Sequence, residues 1–369
     1  MTCFGCSLRR IKSYCYGGAM KKWISKWISA ARLFAVKGSI LPALLGSVFA
    51  FNETGKINIL LMLLTLCGVA AVHAGANFIN DYFDHVTGAD EKNTEGIFPF
   101  SGGSRYIQNG IIPAKHIRLA AIICFSTGLA IGIALSFISG YWVMILGITG
   151  LLSCIFYVSP RFSLTKIGLG EVAVGFNLGF LDVMGAYYVQ TSTFSFNVFM
   201  LALPISFTTT LILYINEFPD YHGDLLAGKR NAIVRLGRKK ASRLLVVLLA
   251  LIVATILLDV LLGFIPAWSL ISLLALPFFV YGAKTAVRYY DDMPNFLPGT
   301  LAVLNVNVFV NYLLTVSFLA SSGQWLLFFI LFPCIVAYEI KTLVDVLRFK
   351  DSQFIKELKL RFSPQEGSR

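Results

Sequence analysis

The sequence predicts an all-α polytopic membrane protein with nine to ten transmembrane helices, and three observations predict it. Of 369 residues, 57% are hydrophobic and only 14% charged, with a mean hydropathy of +0.74, which lies outside the range of water-soluble domains. Apolar runs extend from about residue 32 to about residue 345 with short polar breaks, more than a lone anchor can supply. The third observation is charge. The 31 Lys and Arg exceed the 19 Asp and Glu, for a net charge of +12 and a pI near 9.4. In a soluble protein that balance would suggest nucleic acid. Here it follows from the positive-inside bias of membrane proteins, so no nucleic-acid partner is implied.

Taken in order, residues 1–31 form a basic N-terminal segment. Lys21, Lys22 and Lys26 alternate with Trp23, Ile24, Trp27 and Ile28 at helical spacing, the pattern of an interfacial helix lying on anionic lipid. No small-residue cleavage site follows, which argues against a signal peptide. Met20, just before this helix, is an alternative start of translation. Ten apolar segments then approach the roughly 20 residues that a span requires. They lie near 32–52, 57–82, 115–138, 141–158, 167–190, 196–219, 241–262, 267–288, 299–320 and 324–345. The fourth is short and the tenth is the weakest, so nine spans are an alternative. The turns after odd-numbered spans contain one basic residue, Lys56, and the rest of the Lys and Arg fall on the opposite side with both termini. That side is expected to be cytoplasmic. Seven cysteines, an odd number without framework spacing, argue against a disulfide scaffold. Cys3, Cys6 and Cys15 read as incidental thiols, and the others as small apolar packers.

Two long loops, from Asp81 to about Lys115 and from Asp220 to about Lys240, carry most of the acidic residues of the body. Each follows an even-numbered span, and four spans separate them. The chain therefore reads as two four-helix halves in parallel orientation, followed by a ninth helix. This gives a body over 32–320 and, over 321–369, an extra transmembrane helix with a basic cytoplasmic tail.

The second span ends with His73, Asn77, Asn80, Asp81 and Asp84 at i, i+4, i+7, i+8 and i+11, one helical face running to the membrane surface. Polar groups at that depth cost free energy unless paired, which marks a functional site. For His73 or Asn77 alone, hydrogen bonding between helices is an equal reading. The sixth span ends with Asn216, Asp220 and Asp224 at i, i+4 and i+8, interrupted by Pro219, which cannot donate to the Ile215 carbonyl and predicts a bend. Carboxylates one turn apart suit hard divalent cations, and Mg²⁺ takes one or two carboxylates plus phosphate oxygens. Two Mg²⁺ would then bridge a diphosphate between the halves. Gly102-Gly103-Ser104-Arg105 and Lys229-Arg230 offer N–H groups and positive charge to that diphosphate. Lys37 and Lys166 could reach the same mouth, although snorkelling explains either alone.

These residues resemble the UbiA superfamily of intramembrane prenyltransferases over roughly residues 30–320. The first signature stands as Asn80-Asp81-Tyr82-Phe83-Asp84 and the second as Asp220-Tyr-His-Gly-Asp224. Gly88-x-Asp90, the Gly-Gly-Ser-Arg loop leading to Ile107-Gln108-Asn109-Gly110, Tyr157-Val-Ser-Pro160, Gly168-Leu-Gly-Glu171 and Ala227-Gly-Lys-Arg-Asn231 are most similar to the 1,4-dihydroxy-2-naphthoate prenyltransferases within it. The resemblance implies a helical bundle around a central cavity, with Mg²⁺ held by ligands drawn from Asp81, Asp84, Asp90, Asn216, Asp220 and Asp224. It implies catalytic roles for Asn80, Asp81, Asp84, Asp220 and Asp224. Lys37, Arg105, Lys166, Lys229 and Arg230 would bind the diphosphate of a polyprenyl diphosphate, whose tail lies in a groove open to membrane lipid. Transfer to an aromatic acceptor in menaquinone biosynthesis would follow, with His73, Asn77, Tyr82, Tyr157 and Asp182 near the acceptor or shielding an allylic cation.

Some positions depart from the pattern. Glu217 and Pro219 stand where relatives often carry an Asn-x-Arg stretch, and Asp182, deep in the fifth span, has no family counterpart. It either orients or deprotonates the acceptor or is a hydrogen-bonded structural acid. Asn305, Asn307 and Asn311 in the ninth span read as interhelical glue, worth about 0.6 kcal/mol each. Two alternatives stay open: the same chemistry on 4-hydroxybenzoate, a tetrapyrrole or a glycerol-phosphate lipid, and a secondary transporter. A transporter should place charge near the bilayer centre, whereas both Asp clusters lie at helix ends.

Overall fold

A computed structural model describes residues 19–88, 97, 101, 103–159 and 163–362. The expectations placed on Cys3, Cys6, Cys15, Asp90, Gly102 and Pro160 lie outside the described residues. Helix α1 (Ala19–Ala30) turns at Arg32, whose left-handed backbone, φ 51°, separates it from α2 (Leu33–Thr54). Trp27 packs edge-on against Phe78, while Trp23, Ile24 and Ile28 face outward. An amphipathic helix with that outward face has the form of an interfacial anchor.

The spanning helices follow as α3 (Ile59–Thr87), α4 (Ala114–Ser139), α5 (Trp142–Val158), α6 (Gly170–Thr191), α7 (Phe196–Asn216), α8 (Arg238–Leu261), α9 (Ala267–Tyr289), α10 (Met293–Ser321) and α11 (Trp325–Phe349). Among the described residues, nine helices are long and apolar enough to cross a membrane and α5 is a shorter apolar one, close to the minimum spanning length. The chain is an integral membrane protein, and the tenth segment is present as a full helix.

Boundaries moved where local chemistry overrides hydropathy. Helix α7 stops at Asn216, because Pro219 cannot supply the N–H that a further turn needs. The chain resumes as a short helix, Tyr221–Leu226. Helix α10 starts at Met293, earlier than hydropathy suggests, because Asp292 caps Asn295 N–H and a proline sits in its first turn.

Sequential helices α2 to α10 pack neighbour on neighbour, and α10 returns to α2 to close a ring. Helix α2 also crosses to α6, and α7 to α10. The α7–α10 side is filled by one continuous core that includes Phe218, Phe278, Phe296 and Phe309. The α2–α6 side stays open and holds a chamber. Of the three α10 asparagines, Asn307 alone bridges helices, to Thr208 at 3.0 Å. Asn305 and Asn311 donate to carbonyls of their own helix, which corrects the reading of all three as interhelical glue.

Helix α6 has an unusual interior. Residues Gly175–Leu181 wind as a π-helix. Gly175 and Gly179 form a small-xxx-small pair on which α7 lies very close: a Cβ at Gly179 would come within 2.4 Å of Ser206 Cα. Such glycines let membrane helices approach backbone to backbone, and π-turns recur at functional sites.

Candidate active site

The chamber has a volume of about 510 Å³ and is lined by α2 to α7 and by the loops at one end of the bundle. At that end α3 presents Asn80 and Asp84, α7 presents Asn216, and the following turn presents Glu217, Asp220 and Asp224. The two acidic tips meet. The Lys229 ammonium lies 3.8 Å from Asp84 Oδ1 and 3.3 Å from Asp224 Oδ1, so one cation reaches both. Asn80 donates to the other Asp84 oxygen at 3.0 Å, and Asn231 to Asp224 Oδ2 at 2.8 Å.

Local folding explains the placement. Lys229 N–H donates to the Asp224 carbonyl, closing a tight turn. Asn231 caps the short helix Ala232–Leu236 through Val234 N–H while its amide holds Asp224. The Ala-Gly-Lys-Arg-Asn stretch is thus a clamp on the second acidic motif. Burial lifts the Asp224 carboxyl to about 6 despite the Lys229 ammonium beside it. Burial alone would depress the Lys229 ammonium, but Asp84 and Asp224 outweigh it and raise it above the ordinary lysine value.

Hard oxygen donors fit Mg²⁺ here. Asn216 Oδ1 is buried without a hydrogen-bond partner, a costly state for an amide oxygen that a cation would relieve. Among the described residues no three His, Cys, Asp or Glu groups form a metal cage by themselves.

Asp81 is placed differently. It is 2% exposed, with one oxygen 2.8 Å from Arg32 Nη2 and the other accepting from Ser104 Oγ. Being one residue on from Asn80 turns it about 100° around the helix, where it fastens Arg32 and Ser104. Arg32 also donates to the Asn77 carbonyl at 3.0 Å, and Asn77 Nδ2 to the Ala31 carbonyl at 2.9 Å. The α1–α2 junction is therefore latched to α3.

Lys166, Tyr157, His73, Asn77 and Asp182 line the chamber; Lys37, Arg105, Arg230 and Tyr82 do not. Arg230 is exposed and its carbonyl serves Arg235 Nε. Tyr82 packs with the Ile112 and Ile117 cluster under the Arg118 guanidinium.

A second polar group lies deeper. Ser39 Oγ is 2.7 Å from His73 Nδ1 and faces the Asp182 carboxyl. Asp182 Oδ2 and Asn177 Oδ1 are shielded from water and have no hydrogen-bond partner. Asn177 holds Ser153 through its Nδ2 at 2.7 Å. Near the mouth, burial and the neighbouring Glu171 push the Glu217 carboxyl well above the ordinary glutamate value, and Glu171 accepts Ala232 N–H. Sequence reasoning missed Arg32, Ser39 and Asn177, and named Glu171 and Asn231 only as members of motifs, without a role. A polar residue at helical spacing inside an apolar run was the available signal for Ser39 and Asn177; for Arg32 there was none.

Residues 39–297 match the model of the UbiA prenyltransferase family. The chain is 25% identical to a 2-carboxy-1,4-naphthoquinone phytyltransferase of Synechocystis sp., over 79% of this chain and 92% of that protein. It is 29% identical to a 1,4-dihydroxy-2-naphthoate octaprenyltransferase of Haemophilus influenzae, over 76% and 92%. In fold it is similar to a UbiA homolog from Archaeoglobus fulgidus bound to GPP and Mg²⁺, with a TM-score of 0.56 and 15% identity, covering 81% of this chain and 99% of that one.

Proposed function

The chain belongs to the UbiA prenyltransferase family, and from that premise we propose that it transfers a polyprenyl group from polyprenyl diphosphate to 1,4-dihydroxy-2-naphthoate in menaquinone biosynthesis. It is a prenyltransferase; the naphthoate acceptor is proposed because two relatives covered over more than nine-tenths of their length carry it in their names, and another is named for the corresponding 2-carboxy-1,4-naphthoquinone. The single observation that carries the mechanism is the meeting of Asp84 and Asp224 on one lysine at the chamber mouth.

Asp84, Asp220 and Asp224, with Asn80 and Asn216, would hold Mg²⁺, which when bound offsets the charge that builds on a departing diphosphate. Lys229 and Lys166 face the same mouth and place positive charge beside the leaving group. Lys229 holds the acidic tips together until the diphosphate supplies a stronger partner. The chamber below the mouth keeps water from the allylic carbon, which would otherwise be captured before the ring attacks it. Tyr157 stands in that wall and can turn its π face to developing positive charge. The exposed Trp23, Ile24 and Ile28 face of α1 rests on lipid, with the mouth on the cytoplasmic side.

The test is mass spectrometry of lipid products after membranes that contain the protein receive one polyprenyl diphosphate, Mg²⁺ and a panel of ring acceptors. A prenylated naphthoate product is expected. Product from 4-hydroxybenzoate alone would overturn the acceptor, and no product from any ring would overturn the proposal.

A further inference from the structure

The mouth accounts for the diphosphate but leaves the deep polar group unexplained. His73 lies 11 residues before Asp84 on α3, about 16 Å along the helix axis. A buried carboxyl oxygen and a buried amide oxygen without partners are costly in an apolar chamber. Both are hydrogen-bond acceptors, Asp182 Oδ2 and Asn177 Oδ1. They belong to one face because the π-turn of α6 places residues five apart in register. Ordinary α-winding would have swung Asn177 about 140° away from Asp182.

Ser39 Oγ can accept from His73 Nδ1–H, and in that tautomer the His73 Nε2 lone pair is a third acceptor. Val69, Val72, Leu146, Leu151 and Leu178 form apolar walls of the same chamber. Acceptors at the floor of an apolar slot select a flat molecule that carries O–H donors. The mouth has already taken the anionic head of the donor substrate, so the molecule left to recognise is the ring.

We infer that Asp182, Asn177 and the Ser39–His73 pair seat the hydroxyl groups of the aromatic acceptor, with the ring suspended between them and the allylic carbon. This rests on the proposed prenyl transfer to a hydroxylated ring. Hydrogen bonds from the ring hydroxyls to these oxygens hold the ring in one orientation and raise its electron density towards the carbon that attacks.

The experiment uses the full-length protein in lipid with Mg²⁺ and polyprenyl diphosphate. KM is measured for 1,4-dihydroxy-2-naphthoate and for the donor, and 1-hydroxy-2-naphthoate and 4-hydroxy-2-naphthoate are measured as competitors. In Asp182→Asn and in Asn177→Leu, the acceptor KM is expected to rise about tenfold or more, with the donor KM within about twofold of the parent. For at least one monohydroxy competitor, parent and variant should bind alike, because the hydroxyl that the missing group would seat is gone. A purely structural role would weaken donor, acceptor and competitors together, and that result overturns the inference, as does an unchanged acceptor KM in both variants. If Asp182→Asn fails to accumulate, Asn177→Leu decides. Absence of transfer by the parent protein to every ring would instead sink the proposed function, and the inference with it.

Discussion

Two carboxylates three residues apart in one motif do different work, although only about 60° of helix surface separates them. Asp84 faces the chamber and meets Lys229, whereas Asp81 is sealed between Arg32 and Ser104. Asp84→Ala should abolish prenyl transfer in washed membranes while leaving unfolding in detergent nearly unchanged. Asp81→Asn should do the reverse. It leaves a shielded guanidinium without its counter-charge, a loss of about 3 kcal/mol, and should lower the unfolding midpoint while the Mg²⁺ concentration for half-maximal rate stays at the parent value. A shifted Mg²⁺ requirement in Asp81→Asn would identify it as a ligand. Asp224 gives a pH prediction. Its folded carboxyl titrates at about 6 against the ordinary 3.8, so the folded protein holds this proton more tightly than the unfolded chain does. The Asp224 contribution to stability is therefore largest below the unfolded value and falls as pH rises through about 4 to 6. Metal binding needs the carboxylate and runs the other way. The apparent Mg²⁺ affinity should weaken as pH drops below about 6, and Asp224→Asn should flatten that dependence while weakening affinity throughout.

At the scale of elements, hydropathy and helical spacing carried the reading a long way and then failed at identifiable points. All ten segments appear as helices, because about 20 apolar residues in lipid have no other way to satisfy their backbone. The convergence of α3 and α7 was legible from two acidic motifs on equivalent helix ends. The identity of the inward residues was less so. A stripe about 100° wide, treated as one face, could not separate Asn80 from Asp81 at its two edges, and a period of 3.6 hid the kinship of Asn177 with Asp182, which exists only through the π-turn. That turn coincides with the closest approach of α6 to α7, at Gly175 and Gly179. Gly179→Ala would drive a Cβ against Ser206 Cα, which is backbone and cannot swing aside. The expected cost is about 1–3 kcal/mol, read as a lower unfolding midpoint, and the displaced α6 should raise the acceptor KM more than the donor KM. An Ala variant with parent stability and kinetics would show that the close contact has no role in setting the register of α6.

For the whole molecule, the distribution of charge ties the fold to its direction in the membrane. The ring divides into a packed side around α7 to α10 and a hollow side around α2 to α6, with the hollow opening at the end where the basic residues gather. Lys166, Lys229, Arg235, Arg238, Lys239 and Arg243 all belong to that end, by the alternation of the helices. At the other end Lys56 is the lone basic residue among the described residues, while Glu53 is held by Tyr187, Ser195 and Asn197. A positive rim draws a polyanionic head group from water, and in the proposed orientation the same excess of Lys and Arg would bias insertion so that the rim stays in the cytoplasm. The two effects act together: a chain inserted upside down would offer its charged mouth to the compartment opposite the one its basic loops favour. Orientation is tested with two variants, Thr193→Cys and Ser352→Cys, each made in a chain from which the native cysteines have been removed, by treating intact cells with a membrane-impermeant thiol reagent. The Thr193→Cys variant should be labelled in intact cells, and the Ser352→Cys variant only after the membrane is opened. Labelling of the Ser352→Cys variant from outside would reverse the assigned direction and require the diphosphate donor to arrive from the other side.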